Sequence, residues 1–197
     1  MSWGRCRGLI ASDLWRYSGR LGAGVFWRHF FATPGFRYSV LLRLYAYLRA
    51  SRCGGFGPRQ LLVLALHHYS IRYGIDISRD VRIGSGFYIG HFGGIVVNPE
   101  VVIGDNCNLS HGVTLGRSNR GERAGCPRIG RNVYIGPGAK VIGRVEVGDD
   151  AAIGANAVVL EDVPAGSAVG GVPARVISPA GSQGYVNRTD YPPVPLG

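Results

Sequence analysis

The sequence predicts a mainly β fold, in which a parallel β-helix of six-residue repeats follows a helical segment. Three observations support this prediction. Aliphatic residues recur every six positions over residues 77–164, glycine often follows the aliphatic residue, and asparagine or glycine fills the turns. A period of six fits neither an amphipathic helix nor an alternating strand, and it is typical of hexapeptide solenoids. Stacked coils of this kind bury a continuous core that no single repeat could bury alone.

Thirteen aliphatic residues keep this period. They are Ile77, Ile83, Ile89, Ile95, Ile103, Leu109, Leu115, Ile129, Ile135, Val141, Val147, Ile153 and Val159. The turns between them need a positive φ or a close backbone approach, which asparagine and glycine accommodate best. These turn residues are Gly84, Asn106, Asn132 and Asn156.

Two longer steps interrupt the repeat. Eight residues separate Ile95 from Ile103, and fourteen separate Leu115 from Ile129. Irregular steps in a regular solenoid are where functional groups are usually placed. We expect the longer step to leave the coil as a protruding loop.

The residues before the coil predict helices. Residues 11–31 have Ser12 as a candidate N-cap, and nearby glycines break the run in two. An amphipathic helix is predicted over residues 36–52. Another is predicted over residues 58–73, with Gly74 closing it as a left-handed residue.

The net charge of +10 lies entirely in this helical part. Residues 1–75 carry eleven Arg against the single acid Asp13, whereas residues 76–197 carry eleven residues of each sign. We therefore divide the chain into a basic helical segment (1–75), a β-helix domain (76–178) and an extended C-terminal tail (179–197). Basic residues interleaved with aromatics indicate either contact with an anionic membrane surface or a solvated helical cap.

Composition narrows the class of protein. No run of about 18 uncharged apolar residues occurs, and the first residues lack the apolar stretch of a secretory signal. We expect a cytoplasmic protein that contacts the inner membrane face peripherally and binds no nucleic acid. The four cysteines are scattered without a CxxC pair, which fits reduced thiols better than disulfides or a zinc knuckle.

The segments GHFGGIVV, VTLG, PRIG, GPGAKVIG and GVPARVI resemble those of the serine acetyltransferases, a family of hexapeptide-repeat acyltransferases. The resemblance covers about residues 41–177 and is specific in the coil. It implies a left-handed β-helix, a homotrimer with active sites between subunits, and transfer of an acetyl group from acetyl-CoA, as co-substrate, to a hydroxyl.

The resemblance places the general base of the family on His91 and its supporting carboxylate on Asp76. The chemistry agrees, because a hydroxyl is a poor nucleophile until an imidazole accepts its proton. A carboxylate on the other ring nitrogen fixes the tautomer and stabilises the imidazolium. Fifteen residues separate the two, a little under one eighteen-residue coil, so they can lie near each other on adjacent layers.

Three positions depart from the family pattern on the acceptor side. The acid before the base is Gly90 here, and the Arg-His pair of the protruding loop is Gly125 and Cys126. Because the lost groups would bind the charges of serine, the sequence favours a neutral acceptor such as a sugar of an exopolysaccharide or cell-surface glycan. Serine is the alternative. His111 is a candidate acceptor contact or second base, and Cys126 is expected to line the acceptor site.

Acetyl-CoA needs small residues along the coil surface and cations for its phosphates. By resemblance, the small residues are Gly116, Ala139 and Ala157, and the cations are Lys140 and Arg175.

Two other classes of protein share some of these features. A γ-type carbonic anhydrase needs three His ligands, whereas the coil offers only His91 and His111, so we expect no metal. A non-catalytic scaffold is suggested only by the charge, and the presence of both Asp76 and His91 argues against it.

Overall fold

A computed structural model describes residues 1–51 and 56–195 as four helices followed by a β-solenoid. The helices are α1 (Trp3–Ser18), α2 (Ala23–Ala32), α3 (Pro34–Ala50) and α4 (Phe56–Tyr73). The predicted helices over residues 36–52 and 58–73 correspond to α3 and α4. Gly74 follows α4 with a φ of 60°, as predicted for a left-handed residue.

The start of the first helix was predicted wrongly. α1 begins at Trp3, where the hydroxyl of Ser2 accepts a hydrogen bond from the backbone N–H of Arg5 at 3.1 Å. Ser12 lies inside the helix and is buried, and its hydroxyl accepts from the backbone N–H of Gly86 at 2.9 Å. Ser12 therefore joins the helix to the coil instead of capping the helix.

The strands are short and follow in chain order: β1 (Ile75–Ile77), β2 (Arg82–Ile83), β3 (Tyr88–Ile89), β4 (Ile95–Val97), β5 (Val102–Ile103), β6 (Asn108–Leu109), β7 (Thr114–Gly116), β8 (Arg128–Ile129), β9 (Tyr134–Ile135), β10 (Lys140–Ile142), β11 (Glu146–Val147), β12 (Ala152–Ile153), β13 (Val158–Val159), β14 (Ala168–Gly171) and β15 (Ala174–Ser178). They form three sheets ordered β1-β4-β7-β10-β13, β2-β5-β8-β11 and β3-β6-β9-β12-β14-β15. All pairs are parallel except β14 with β15. The predicted β-helix is confirmed, with about five coils.

The pairing register corrects the position of the shorter irregular step. Ile77 pairs with Val97, and Ile75 pairs with Ile95. The residue in phase with Ile89 is therefore Val97, and the two extra residues lie between β3 and β4. The predicted step from Ile95 to Ile103 is wrong because Ile95 and Val97 are both apolar and both buried, so that hydrophobicity alone does not distinguish the two phases.

The longer step is confirmed as a loop over residues 117–127. It returns on itself through an antiparallel bridge between Ser118 and Gly125, with N–O distances of 3.0 and 2.9 Å. The loop then lies over the following coils, since the carbonyl oxygen of Arg123 accepts a hydrogen bond from the backbone N–H of Arg144 and its guanidinium forms an ion pair with Asp162 at 2.9 Å.

The repeat residues form the core. Twelve of the thirteen aliphatic residues are buried and Ile83 is partly buried. Three turn residues, Asn106, Asn132 and Asn156, have φ angles of 55° to 59°, as predicted. A Cβ at Gly84 would lie 2.6 Å from the backbone nitrogen of Asp105, so that turn requires a close approach instead.

Side chains of α1 and α3 cover the backbone edge at the start of the coil. Asp13 and Arg43 form a buried ion pair with N–O distances of 3.0 and 3.1 Å. Asp13 also accepts from the backbone N–H of Phe87 at 2.8 Å, and Arg43 donates to the carbonyl oxygen of Ile83 at 2.7 Å. Because an uncovered sheet edge invites pairing with another strand, these contacts terminate the solenoid.

Two further residues of α1 bind the third sheet. The hydroxyl of Tyr17 donates to the carbonyl oxygen of Ile89 at 3.1 Å and accepts from its N–H at 3.0 Å. The buried guanidinium of Arg16 donates to the side-chain oxygen of Asn108 and to the carbonyl oxygen of Asn187, both at 2.7 Å. Arg16 thus joins the helix, the coil and the C-terminal tail.

The tail after β15 first turns over residues 181–185 and then runs back along the coil without regular structure, so it is not extended throughout as predicted. Near the end of the solenoid, the N–H of Ser182 donates to the carbonyl oxygen of Asp150 at 2.8 Å. Near the first coils, the hydroxyl of Tyr191 donates to the side-chain oxygen of Asn106 at 2.7 Å. The tail therefore links the two ends of the solenoid.

Candidate active site

The two extra residues between β3 and β4 form a corner that no regular repeat could provide. This corner contains His91 and Phe92, followed by Gly93 and Gly94 with positive φ angles of 110° and 65°. Both His91 and Phe92 are exposed. The carbonyl oxygen of Gly93 accepts a hydrogen bond from Gly112 of the next coil at 2.7 Å, which fixes the corner on the stack.

His111 lies directly beside His91, one coil further along the stack. The two rings are 6.0 Å apart between centroids and nearly perpendicular, at 80°. Both side chains are exposed to solvent. A neutral imidazole at such a position can accept a proton from an approaching hydroxyl, and a second imidazole can hold the other end of the same molecule.

Lys140 brings a cation to the same corner. Its ammonium group donates to the carbonyl oxygen of Gly112, next to His111, and to the hydroxyl of Thr114 at 3.1 Å. Lys140 is the sole lysine in the chain. In this structure its ammonium therefore lies on the backbone beside His111, whereas the sequence analysis assigned it to phosphates.

Asp76 lies on the outer face of β1, and its carboxylate is exposed. It shares a cleft with Tyr38, His67 and Ser70. Among the residues that the structure describes, no hydrogen bond or ion pair joins Asp76 to His91. Its role as the supporting carboxylate stays a prediction.

The predicted acceptor residues bring little charge to the corner. Gly90 precedes His91, and a side chain there would contact the ring of Tyr88, since an added Cβ would lie 3.2 Å from it. Gly125 has a φ of 133°, in the region that favours glycine. The thiol of Cys126 donates to the side-chain oxygen of Asn98 at 3.2 Å.

The pKa values of the three thiols in the described residues argue against any of them as a nucleophile; Cys53 lies outside the described residues. Partial burial raises the pKa of Cys126, and the nearby carboxylate of Glu100 adds to the effect. Burial also raises the pKa of Cys6 to about 11 and that of Cys107 to about 12. Because the thiolate is the reactive form, these residues are poor nucleophiles near neutral pH.

The residues predicted to bind acetyl-CoA fall into two groups. The side chains of Ala139 and Ala157 are fully buried inside the coil, so they face the core and not the surface along which a pantetheine arm would lie. Gly116 is on β7, where an added Cβ would lie 2.8 Å from Ile142. Arg175 is exposed on β15 and forms an ion pair with Glu161 at 3.5 Å. Of the five predicted residues, Gly116, Lys140 and Arg175 are therefore at least partly accessible on this chain, and Ala139 and Ala157 are not.

Neither a metal centre nor a membrane span is found in the described parts of the chain. Residues 1–51 and 56–195 contain no group of three His, Cys, Asp or Glu side chains arranged to hold a metal ion. None of the helices described there has the length and apolarity needed to cross a bilayer.

A coil of hexapeptide repeats, an exposed imidazole at an irregular corner and a protruding loop together define the class of hexapeptide-repeat transferases. A family model described as bacterial transferase hexapeptide (six repeats) matches residues 126–161. Over 162 residues, the chain is 35% identical to the serine acetyltransferase of Synechococcus elongatus, covering 82% of this chain and 64% of that protein.

Solved structures narrow the class to one family. Soybean serine acetyltransferase complexed with serine matches with a TM-score of 0.71 and 34% identity, over 88% of this chain and 70% of that chain. Serine acetyltransferase from Brucella abortus strain S19 in complex with coenzyme A matches with a TM-score of 0.69 and 32% identity, over 88% and 66%. The chain belongs to the serine acetyltransferase family.

The chain is shorter than these relatives. It spans between about half and 64% of the length of the curated relatives that it matches. Because the similarity covers only part of these relatives, the acceptor, the co-substrate and the partners of this chain are proposals.

Sequence reasoning missed two contacts of the predicted site residues. It did not place the ammonium of Lys140 on Gly112 and Thr114, although this follows from the register: β10 pairs with β7, which brings Lys140 opposite Thr114. It also missed Asn98 as the partner of Cys126, because the two residues are 28 positions apart and no repeat links them.

Proposed function

We propose that this chain is an acetyl-CoA-dependent O-acetyltransferase whose acceptor is the hydroxyl of serine. The observation that carries the proposal is the position of His91, exposed at the irregular corner beside His111 in a chain of this family. Serine was the alternative in the sequence analysis. The comparisons favour it over the glycan acceptor, since the relatives reported above are all serine acetyltransferases.

In this reaction His91 acts as the general base. One ring nitrogen accepts the proton of the acceptor hydroxyl as its oxygen attacks the thioester carbonyl of acetyl-CoA. The new C–O bond forms, the C–S bond breaks, and the departing sulfur takes a proton from the imidazolium. The products are the acetyl ester and coenzyme A, so no metal or covalent enzyme intermediate is required.

Asp76 and His111 are the candidate supporting groups. Asp76 is on β1, next to β4, which the His91 corner precedes directly. A carboxylate on the second ring nitrogen would hold the tautomer that leaves the first nitrogen free to accept a proton. His111 is already beside His91. We assign it to the acceptor, as a donor to the carboxylate or hydroxyl of serine.

Lys140 supports a charged acceptor. Serine carries a carboxylate, and positions 90 and 125, where the family has charged groups, are glycine here. Lys140 is one coil beyond His111 and provides a positive charge at the corner. We propose that this ammonium replaces the missing cation by attracting the serine carboxylate.

Acetyl-CoA is proposed to lie along the coil near Gly116 and to meet Arg175 with its phosphates. The relative from Brucella abortus in complex with coenzyme A supports a co-substrate of this type. We further propose that the chain acts as a homotrimer with its sites between subunits, so that a second chain completes the surface that Ala139 and Ala157 do not provide.

A neutral hydroxyl, such as that of a glycan, is the second candidate acceptor. One observation favours it: Gly90 and Gly125 have no side chain, and the thiol of Cys126 is bonded to Asn98. None of these three positions offers a charge to an amino acid.

A release assay for coenzyme A separates the two acceptors. We expect saturable turnover with L-serine, and a substitution Lys140→Met should raise KM for serine by about tenfold or more without changing KM for acetyl-CoA. A rise in KM for acetyl-CoA alone would indicate that Lys140 binds the phosphates of coenzyme A, as the sequence analysis predicted. Turnover with neutral sugars but not with serine would replace serine by the second candidate.

A further inference from the structure

The helix α2 has two faces of different character. Its inner face packs on the cap through Phe26 and Phe30, which stack with ring centroids 5.7 Å apart. Phe26 also meets the buried Phe36 of α3 edge-on at 5.7 Å. This face attaches the helix to the molecule.

The outer face of α2 exposes large apolar side chains. Trp27 is 53% exposed and Phe31 is 68% exposed, and their rings stack at 5.7 Å and 20°. Leu21, just before the helix, is 43% exposed. Trp27 and Phe31 are one turn apart along the helix and stack on each other, so they form one continuous patch and not isolated exposed positions.

Two arginines flank the patch. Arg20 and Arg28 are exposed, and neither forms an ion pair with any carboxylate in the described residues. Several other arginines of the basic segment have structural roles instead. Arg43 is paired with Asp13, Arg16 binds coil and tail, and Arg37 and Arg49 bond to neighbouring groups. The number of arginines free to bind a partner is therefore smaller than the net charge of the segment suggests.

We propose that the outer face of α2, formed by Trp27 and Phe31, together with the preceding residues Arg20 and Leu21 and with Arg28, docks the protein on an anionic lipid bilayer. Indole and phenyl rings favour the interfacial layer of a membrane, and guanidinium groups bind lipid phosphates. The docking is peripheral, because the helix has ten residues and its inner face stays on the cap.

Charge favours a bilayer over a second copy of this chain. If two copies met through this face about a twofold axis, Arg20 and Arg28 of one copy would approach the same residues of the other without an intervening acid. An anionic surface neutralises them instead. The exposed aliphatic residues of α4, Leu61, Leu64 and Ile71, lack aromatic neighbours of this kind and provide a comparison surface.

Vesicle binding by the whole chain tests the proposal. Probes are vesicles of phosphatidylcholine alone and vesicles that also contain phosphatidylglycerol. We expect sedimentation with the second kind only, a blue shift of tryptophan emission, and a loss of binding between about 0.05 M and about 0.5 M salt. Removing one charge with Arg28→Ser should weaken binding about fivefold, and the double variant Trp27→Ser, Phe31→Ser should weaken it more.

Matched variants serve as controls. Arg72→Ser removes an exposed arginine of α4, and Trp3→Phe removes an exposed tryptophan of α1. Both should bind as the wild type does, and Trp3→Phe should keep the blue shift. Equal or absent binding to both vesicles overturns the proposal. So does a smaller particle in solution for the Trp27 and Phe31 variant, which would make the face an interface between copies. In the absence of vesicles, the Arg28 variant and the Trp27 and Phe31 variant should transfer acetyl groups as the wild type does. The vesicle-binding result therefore does not depend on the proposed activity.

Discussion

The coil and the helical cap are held together by different means. In the coil, the same backbone ladder repeats from one layer to the next, and ion pairs such as Arg131 with Asp149 are exposed. In the cap, single side chains make unique contacts, and the ion pair of Asp13 with Arg43 is buried. The stability of the coil is thus shared among many equivalent contacts, whereas that of the cap depends on a few.

This difference indicates where substitutions should matter. A regular layer offers an equivalent neighbour for each contact, so a surface change in the coil is absorbed locally. A buried charge in the cap has one partner and no substitute. The irregular corner at His91 belongs to the coil by position but resembles the cap in depending on single residues.

The largest effect is expected at that corner. His91→Ala should lower kcat by about 10² to 10⁴-fold, because the hydroxyl loses its proton acceptor. The side chain is exposed, so the unfolding midpoint should stay unchanged. Coenzyme A release and urea unfolding measure the two quantities. His111→Ala is the control and should have the smaller effect on kcat; the reverse order would move the base to His111.

The next largest effect is expected in the cap. Asp13→Ala leaves the buried Arg43 without its counter-ion and the N–H of Phe87 without an acceptor, and it should lower the free energy of unfolding by about 3 to 5 kcal/mol. Asp13→Asn keeps an acceptor and should cost less. In the coil, Glu146→Gln breaks the exposed pair with Arg128 and should stay within about 0.5 kcal/mol. Equal losses in cap and coil would contradict the comparison.

A smaller effect is expected where the tail meets the coil. Tyr191→Phe removes a hydroxyl that bonds Asn106 at 2.7 Å and Ser85 at 2.9 Å, which should lower the free energy of unfolding by about 1 to 2 kcal/mol. The control is Tyr185→Phe. The ring of Tyr185 stacks on Tyr134 at 4.4 Å, and its hydroxyl has no hydrogen bond within the described residues. Denaturant unfolding of both variants should show a loss for Tyr191 alone.

The smallest effect is expected at an exposed pair of the coil. Hydrogen bonds from the backbone N–H and the guanidinium of Arg131 lower the pKa of Asp149. A carboxyl with a lowered pKa stabilises the fold above its unfolded pKa of about 3.9 and loses that contribution as pH falls through the folded value. The stability gap between wild type and Asp149→Asn should therefore close in acid, as thermal unfolding at about pH 7 and about pH 2 would show. A gap that widens in acid would contradict this assignment.

The coil could be predicted from the sequence because its period is local. Each repeat has an aliphatic core residue and a glycine or asparagine in a turn, so Asn132 could be assigned a positive φ from its place in the hexad. The register was harder. Ile95 and Val97 are both buried, and only pairing with the first coil shows that the extra residues precede them.

The cap and much of the site could not be predicted in the same way. Ser12 has the features of an N-cap, but its partner is Gly86, 74 positions away. Ala139 was predicted to lie at the surface because it is small, whereas it is small because it fills the interior of a coil corner. His91 was found from its motif and His111 from its place about one coil further on, and the two rings do lie beside each other. The hydrogen bonds of Lys140 to Gly112 and Thr114 were not found, because they depend on the register between coils.

The returning tail changes how the solenoid should unfold. A linear stack of repeats can lose its terminal layer without disturbing the other end, so it frays from both ends and unfolds in stages. Here Ser182 holds the tail on Asp150 near the end of the solenoid, and Tyr191 holds it on Ser85 and Asn106 near the start, where Arg16 of α1 also binds it. Unfolding of a terminal layer at either end would also break the contacts that hold the tail there. The two ends of the solenoid are therefore coupled through the tail. Thermal unfolding should follow a single transition, with the terminal layers protected from amide exchange as well as the central ones.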